Sequence, residues 1–310
     1  MAKSEEWTDT HIPKQDGRSA IVTGTGGLGY ETALALARAG AEIILAGRNE
    51  QKGTESINKI RALVPSANIR FENIDLADLA SIQAFGKRMN AQRHSLDLLI
   101  NNAGVMTPPQ RKVTRDGFEL QLGTNYLGHF ALTAHLMPLL MQGDKPRVVT
   151  VSSIAHRTGV INFDDLQSEH NYKPMAAYSQ SKLACLMFAL ELQRRSDANG
   201  WGISSIAAHP GVSMTELFQN GTGKRNAASI ALRVLGPVVF QSAAHGAWPL
   251  LYAATSKEAT GGSYYGPTKL NEVRGYPAIA KVAPQAKDAA VASRLWEESE
   301  RLTRTRFFND

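Results

Sequence analysis

Cysteine is almost absent from these 310 residues: Cys185 stands alone, which excludes an internal disulfide and a cysteine-based metal cluster. It falls inside a long helical stretch, where a thiol packs as a small hydrophobe rather than acting as a nucleophile. No apolar run is long enough to span a bilayer. The polar, partly acidic opening Met1-Ala-Lys-Ser-Glu-Glu-Trp7 lacks the basic start and apolar centre of a signal peptide. Formal charge is +6, yet no dense Lys/Arg block occurs, and Gln193-Arg-Arg195 closes a helix where cations favour the dipole. A nucleic-acid partner is therefore not expected. With 43% hydrophobic and 20% charged residues, the composition is that of a soluble protein, and a cytoplasmic location is expected. The length allows one large α/β domain or two small ones.

What is present is alternation. After an irregular lead-in (1–17), the apolar run Ser19-Ala-Ile-Val-Thr23 meets the turn Gly24-Thr-Gly-Gly-Leu-Gly29. A strong helix former, Tyr30 to Ala39, follows and is closed by Gly40, and Ala41-Glu-Ile-Ile-Leu-Ala46 reads as a second buried strand. This is a βαβ unit whose glycines, Gly24, Gly27 and Gly29 with Leu28 among them, let the backbone approach a pyrophosphate resting on a helix N-terminus. A packed glycine turn without a ligand is the plainer alternative.

The residues after the second strand bear on the cofactor. A carboxylate there would bind the ribose hydroxyls of NAD. Instead the strand ends Ala46-Gly47-Arg48, and a guanidinium suits a 2′-phosphate. NADP(H) is thus expected over NAD(H). Downstream, a helix at about 50–63 leads to strand Ile69–Ile74 and to Asp75-Leu76, where a carboxylate can accept from the adenine amino group. A helix at about 78–91 leads to Leu96–Ile100 and Asn101-Asn102-Ala103-Gly104, small residues that let the chain pass close to a ligand at a strand end. A helical region at about 116–142 contains Asn125 and His129. Arg147–Val151 is a buried strand ending in Ser152-Ser153, 157–174 reads as loop, and Ile203–Ala208 is a sixth strand followed by His209-Pro210-Gly211.

Between these two strands runs an apolar helix, Ala176 to Arg195, carrying Tyr178-Ser-Gln-Ser-Lys182. Residues four apart share a helix face. An ammonium beside a phenol favours the phenolate, which makes tyrosine a general acid or base near neutral pH. On spacing alone a surface Tyr–Lys pair is the commoner reading, because Y-x-x-x-K occurs often by chance. Residues 213–240, mixed polar and apolar, interrupt the alternation as a substrate-binding lobe of short helices. A helix near 241–255, a short strand around Gly262–Tyr265 and a C-terminal helical segment (275–310, its helix at about 285–303) complete the chain. A single domain over 1–310 is expected.

Six of these features, in this order, resemble the short-chain dehydrogenase/reductases: the glycine loop, Asn101-Asn-Ala-Gly104, Asn125, Ser152-Ser153, Tyr178-x-x-x-Lys182 and Pro210-Gly211. Asn125-Tyr-Leu-Gly-His-Phe130, Ala155-His156, Phe163-Asp-Asp-Leu166 and the Leu295-Trp-Glu ending are similar to the retinol-dehydrogenase-like and protochlorophyllide-reductase-like branch. The resemblance implies an α/β fold, a single doubly wound Rossmann domain with a seven-stranded, mostly parallel sheet, helices on both faces and a small helical substrate lobe. It implies an NADP(H)-dependent carbonyl reductase or alcohol dehydrogenase interconverting a bulky apolar ketone or aldehyde and its alcohol. Tyr178 would then be the proton donor, Lys182 would hold the nicotinamide ribose, and Ser153 would bond the substrate oxygen. Asn125 would support a water leading from Lys182 to solvent. The backbone of Pro210-Gly211-Val212, with Thr215, would hold the carboxamide. His129 and His156 lie off the family's catalytic positions and are expected to be structural. A homodimer or homotetramer through the two long helices is also implied.

The chain departs from the family's T-G-x-x-x-G-x-G at one place: Thr23-Gly-Thr-Gly-Gly-Leu-Gly29 is one residue shorter. The missing position often carries a polar side chain that ties the loop to a neighbouring strand. Gly26 is expected to let the shorter turn still reach the pyrophosphate. The alternative function is a cofactor-binding sensor or scaffold with little turnover.

Overall fold

The computed structural model describes residues 6–212 and 241–307. The expected lobe at 213–240, and Thr215 within it, lie outside these residues.

Strand-forming runs and helices alternate as the hydrophobic pattern requires. Strands β1 (Ser19–Thr23), β2 (Glu42–Gly47), β3 (Ile69–Asn73), β4 (Leu98–Asn101), β5 (Arg147–Val151) and β6 (Ser204–Ala208) are parallel neighbours in the order β3-β2-β1-β4-β5-β6. Beyond β6 come β7 (Tyr264–Lys269), parallel to it, and β8 (Arg274–Ile279), antiparallel to β7. The described residues thus form an eight-stranded sheet, one strand more than expected. The extra strand opens the segment expected to be helical from 275. Gly275 and Pro277 disguise it, and such residues are tolerated because β8 is an edge strand.

Both faces of the sheet are covered, which is why its central strands read as unbroken apolar runs. Alternate residues point to opposite cores. Ile21, Ile44, Leu99 and Val148 face α3 (Leu79–Gln92), α4 (Gly128–Leu140), α5 (Pro174–Asn199) and, further out, α7 (Ala289–Thr303). Val22, Ile43, Leu45, Ile100 and Val149 face α1 (Gly27–Arg38), α2 (Glu50–Leu63) and α6 (Ala243–Thr255). The Leu295-Trp296 ending lies in the first core, where the Trp296 ring meets Phe130 and Phe307 at 5.0 and 4.4 Å.

Two helix boundaries differ from expectation. The helix expected from 116 begins only at about 120, because Gly117 (φ +88°) turns the chain and Val113 bridges back to Glu119. Its first stretch, Leu122–Leu127, is a π-helical turn that runs into α4. The final helix is broken by the capping residue Asp288, so a 3₁₀ turn (Pro284–Lys287) precedes α7. No helix among the described residues is long and apolar enough to cross a membrane.

Sheet order reverses between β1 and β4. Ligands of doubly wound sheets bind outside the carboxyl ends of the strands at such a point. Here those ends carry Gly24 and Asn102.

Candidate active site

Thr23, the last residue of β1, ties the two strand ends together. Its Oγ1 accepts from the amides of Asn102 and Ala103 at 2.9 and 3.0 Å, and the Asn102 side chain donates to the Thr23 carbonyl at 2.8 Å. Gly24 then turns at φ +94°, and α1 begins at Gly27. The turn is packed against its surroundings on the inner side. A Cβ on Gly29 would lie 2.1 Å from the Gly24 carbonyl oxygen, and one on Gly24 would lie 2.9 Å from Asn102 Nδ2. A Cβ on Gly26 would meet nothing within 4 Å, so this glycine faces open space. The short loop has its tie after all, from a helix: Ser56 Oγ on α2 donates to the Thr25 carbonyl at 2.7 Å.

Two adjoining cavities run along the strand ends. The larger, 540 Å³, is walled by Gly24, Gly26, Gly27, Leu28, Asn102 and Ala103 at one end and by Val151, Tyr178 and Lys182 further on. Met106, Pro108, Pro109 and Leu120 add an apolar side, with Lys112 beside them. The smaller, 270 Å³, is walled by Gly47, Asn49, Lys52, Asp75, Leu76 and Thr124. Arg48, Ala103 and Gly104 border both.

This groove suits a dinucleotide. Its middle is a bare backbone cradle at a helix N-terminus, which favours phosphate. Arg48 is exposed, and its guanidinium has no partner among the described residues. Lys52, on the first turn of α2, brings a second cation to the same cavity wall. Asp75 caps its own turn by accepting from the Ala77 amide at 2.9 Å. Buried Thr124 Oγ1 finds no hydrogen-bond partner among the described residues, so it is open to a bond from a water or a ligand in the groove.

The other end of the groove is polar and buried. Lys182, 6% exposed, donates to the Val151 carbonyl at 3.0 Å, and its ammonium lies 5.8 Å from the Tyr178 ring centroid. Ser152 Oγ donates to the Lys182 carbonyl at 2.7 Å and so fixes this turn of α5 against β5. Ser153 caps the 3₁₀ turn Ile154–Thr158, its Oγ accepting from the Ala155 amide at 3.2 Å. Asn125, in the π-helical turn, uses both amide hydrogens, to the Val105 carbonyl at 3.0 Å and Ser181 Oγ at 2.9 Å. Its Oδ1 accepts from the Val105 amide at 2.7 Å. Asn125 therefore holds the chain just past Gly104, where a Cβ would stand 3.1 Å from Asn125 Oδ1 and 3.7 Å from Lys182 Nζ.

His129 and His156 serve this framework. His129 Nδ1 donates to the Asn125 carbonyl at 2.9 Å, which leaves Nε2 to accept from Thr23 Oγ1 at 2.9 Å. Burial pushes the His129 pKa down to about 4. The unfolded chain takes up this proton near pH 6.5 and the folded chain only near 4, so stability is full above 6.5 and falls as pH drops toward 4. The loss is on the order of 3 kcal/mol. Urea midpoints measured between pH 7 and 5 should therefore fall, and should fall less steeply in His129→Gln; equal slopes would exclude His129 as the source.

Of the expected cofactor residues, Gly24, Gly27, Leu28, Arg48, Asp75, Leu76, Asn102, Ala103, Gly104, Tyr178 and Lys182 line the two cavities. Gly29 supports the turn from inside, and Ser153 and Asn125 stand off the cavity wall. Pro210, Gly211 and Val212 are not among the residues lining the two cavities; Gly211 and Val212 pack on the β7–β8 turn, where the Val212 amide donates to the Val273 carbonyl at 2.9 Å. Thr23, Lys52, Ser56 and Thr124 are additional groups at the site. Lys52 carried a readable signal, a second cation four residues after Arg48. The others are recruited by tertiary packing.

The sequence pattern of the short chain dehydrogenase family matches residues 18–226. Polyprenol dehydrogenase of Mus musculus is 44% identical over 94% of this chain and 85% of its own length. Retinol dehydrogenase 13 of Homo sapiens is 40% identical over 92% and 84%, respectively. A crystal structure of a protein from Mycobacterium paratuberculosis superposes with a TM-score of 0.80 at 39% identity, covering 98% of this chain and all of that one.

Proposed function

From the premise that this chain belongs to the short-chain dehydrogenase/reductase family, in its retinol-dehydrogenase-like branch, we propose that it is an NADP(H)-dependent oxidoreductase. It interconverts a bulky apolar ketone or aldehyde and its alcohol. One observation carries the reading: Tyr178 and Lys182 line the same cavity as the glycine turn and Arg48. When bound, the nicotinamide supplies or accepts the hydride.

The chain's own groups do the rest. Gly24 to Leu28 receive the pyrophosphate, and Arg48 with Lys52 receives the 2′-phosphate. In the reductive direction Tyr178 passes its phenolic proton to the carbonyl oxygen as that oxygen gains negative charge. Lys182 stabilises the phenolate left behind, and solvent reprotonates it. Ser153 donates its hydroxyl proton to the same oxygen. In the oxidative direction Tyr178 takes the alcohol proton. Asn125 keeps the Val105 segment and the α5 turn in place around the lysine. The apolar wall of Met106, Pro108, Pro109 and Leu120 supports a hydrophobic substrate, as do relatives named for polyprenol and retinol.

The cofactor assignment has a direct test. Charge-assisted hydrogen bonds contribute about 1.5–3 kcal/mol, so Arg48→Asp should lower the NADPH over NADH ratio of kcat/KM by roughly 10–100-fold. An unchanged ratio would remove Arg48 from the phosphate site.

A further inference from the structure

The turn between β7 and β8 holds three consecutive non-glycine residues in the left-handed region: Leu270 (φ 51°), Asn271 (φ 57°) and Glu272 (φ 71°). Each such residue costs roughly 1–2 kcal/mol. A run of three persists only where its surroundings over-determine it, and such runs gather at functional sites.

The surroundings converge on the Glu272 carboxylate. Its Oε2 accepts from Arg157 Nη2 at 2.6 Å and from His209 Nε2 at 3.0 Å, and its Oε1 accepts from the Lys281 amide at 3.0 Å. The His209 tautomer is set by the next contact, since its Nδ1 accepts from the Gly211 amide at 3.2 Å and only Nε2 is left to donate. His209 is wholly buried, and Gly266 lies so close that a Cβ there would stand 1.9 Å from Nε2. The neighbouring backbone closes the same joint. Val273 accepts from the Val212 amide at 2.9 Å, and a Cβ on Gly211 would lie 2.2 Å from the Val273 carbonyl oxygen.

Glu272 thus grips two segments through one carboxylate oxygen. His209 begins the Pro210–Val212 segment at the end of β6. Arg157 lies on the 3₁₀ turn that Ser153 caps at the end of β5. We propose that Glu272 is a positioning residue that holds the Pro210–Val212 segment, which the family resemblance assigns to the nicotinamide carboxamide, and the turn carrying Ser153 in one register. This rests on the functional reading given above. The strained turn is the device: it presents a carboxylate to two donors that follow different strands, Arg157 after β5 and His209 after β6, and the three hydrogen bonds offset the cost of the left-handed backbone.

A register role makes a specific demand on kinetics. Misplacing reacting groups by about 1 Å can cost 10²-fold in rate, while the phosphate contacts at the far end of the groove are untouched. Glu272→Gln and Arg157→Gln should each lower kcat, the first by roughly 10–100-fold, with NADPH affinity within about 3-fold of wild type. Glu272→Gln should also blur the facial selectivity of hydride transfer, read with NADPH carrying deuterium on either face of C4. Arg157 is partly exposed, so its variant reports even where Glu272→Gln folds poorly. Wild-type kcat and full facial selectivity in the folded variants would overturn the proposal, as would kcat losses that match the loss of folded protein by circular dichroism. Tyr178→Phe separates the layers. If it is inactive while Glu272→Gln is normal, only the positioning role falls; if it turns over normally, the proposed chemistry itself falls.

Discussion

Tyr178→Phe is expected to bind NADPH with little change and to lose roughly 10²–10⁴-fold in kcat for carbonyl reduction, the usual contribution of a general acid. The substitution removes one oxygen from a ring that is 3% exposed, so the wall keeps its shape. Lys182 keeps its bond to the Val151 carbonyl at 3.0 Å, and the glycine turn and Arg48 do not touch the ring's role. Fluorescence titration with NADPH should therefore overlay the wild type while steady-state turnover collapses. A loss confined to KM would mean that Tyr178 only binds substrate. Retained turnover would sink the acid role, and turnover lost together with cofactor affinity would point to a structural fault. Lys182→Met is a useful companion, because it removes the ammonium that lies 5.8 Å from the ring centroid. It should shift the pH profile of kcat upward as well as lower it, since the phenol loses the charge that favours its ionised form.

Much of this arrangement is readable in the chain because the features involved are local. β1, β2, β4 and β5 are apolar on both faces, so they stand out as short unbroken runs. The helix between β1 and β2 announces itself through Tyr30 to Ala39, and the Tyr178/Lys182 pair needs only the helical period. Arg48 is legible for the same reason: it is the residue that follows a strand. What escaped depends on contacts made across the fold. Ser56 and Thr124 are unremarkable in sequence and gain meaning only where α2 and the π-helical turn meet the groove. The helix expected from 116 starts late because Gly117 makes a left-handed turn that pairs Val113 with Glu119, a contact that the otherwise helical spacing does not reveal. β8 was hidden by Gly275 and Pro277, residues that usually argue against a strand. Glu272 was invisible because, of Leu270, Asn271 and Glu272, only asparagine favours the left-handed region, and one such residue does not signal a run of three. The shortened loop lacks the position that usually supplies its tie, and the tie arrives instead from a helix some thirty residues away in sequence.

Gly29→Ala tests whether that shortened loop is built as tightly as the structure shows. The new methyl would stand 2.1 Å from the Gly24 carbonyl oxygen and 2.8 Å from Asn102 Nδ2. Neither is the free end of a flexible side chain. The carbonyl belongs to the turn, and the Asn102 amide is committed to the Thr23 carbonyl at 2.8 Å. Relief requires α1 to move away from β4, which spreads the backbone cradle at the helix N-terminus. Overpacking of this kind costs about 1–3 kcal/mol and should lower the melting temperature of the free protein; NADPH affinity should fall separately, by roughly 10–100-fold, to the extent that regaining the bound cradle costs a further ~1.4–2.7 kcal/mol at the binding step. Gly26→Ala supplies the contrast. Gly26 has φ −128° and ψ 175°, an extended conformation any residue adopts, and its Cβ would meet no protein atom within 4 Å. It also borders the cavity. Its variant should melt within about 1 kcal/mol of wild type, the scale of an N-cap change, yet lose affinity because the methyl occupies space the pyrophosphate needs. Native stability and affinity in Gly29→Ala would mean that the turn has slack to absorb a methyl. Native affinity in Gly26→Ala would move the phosphates elsewhere along the groove. The pair thus separates a glycine required by the protein's own packing from one required by its ligand, two demands that the motif alone writes with the same letter.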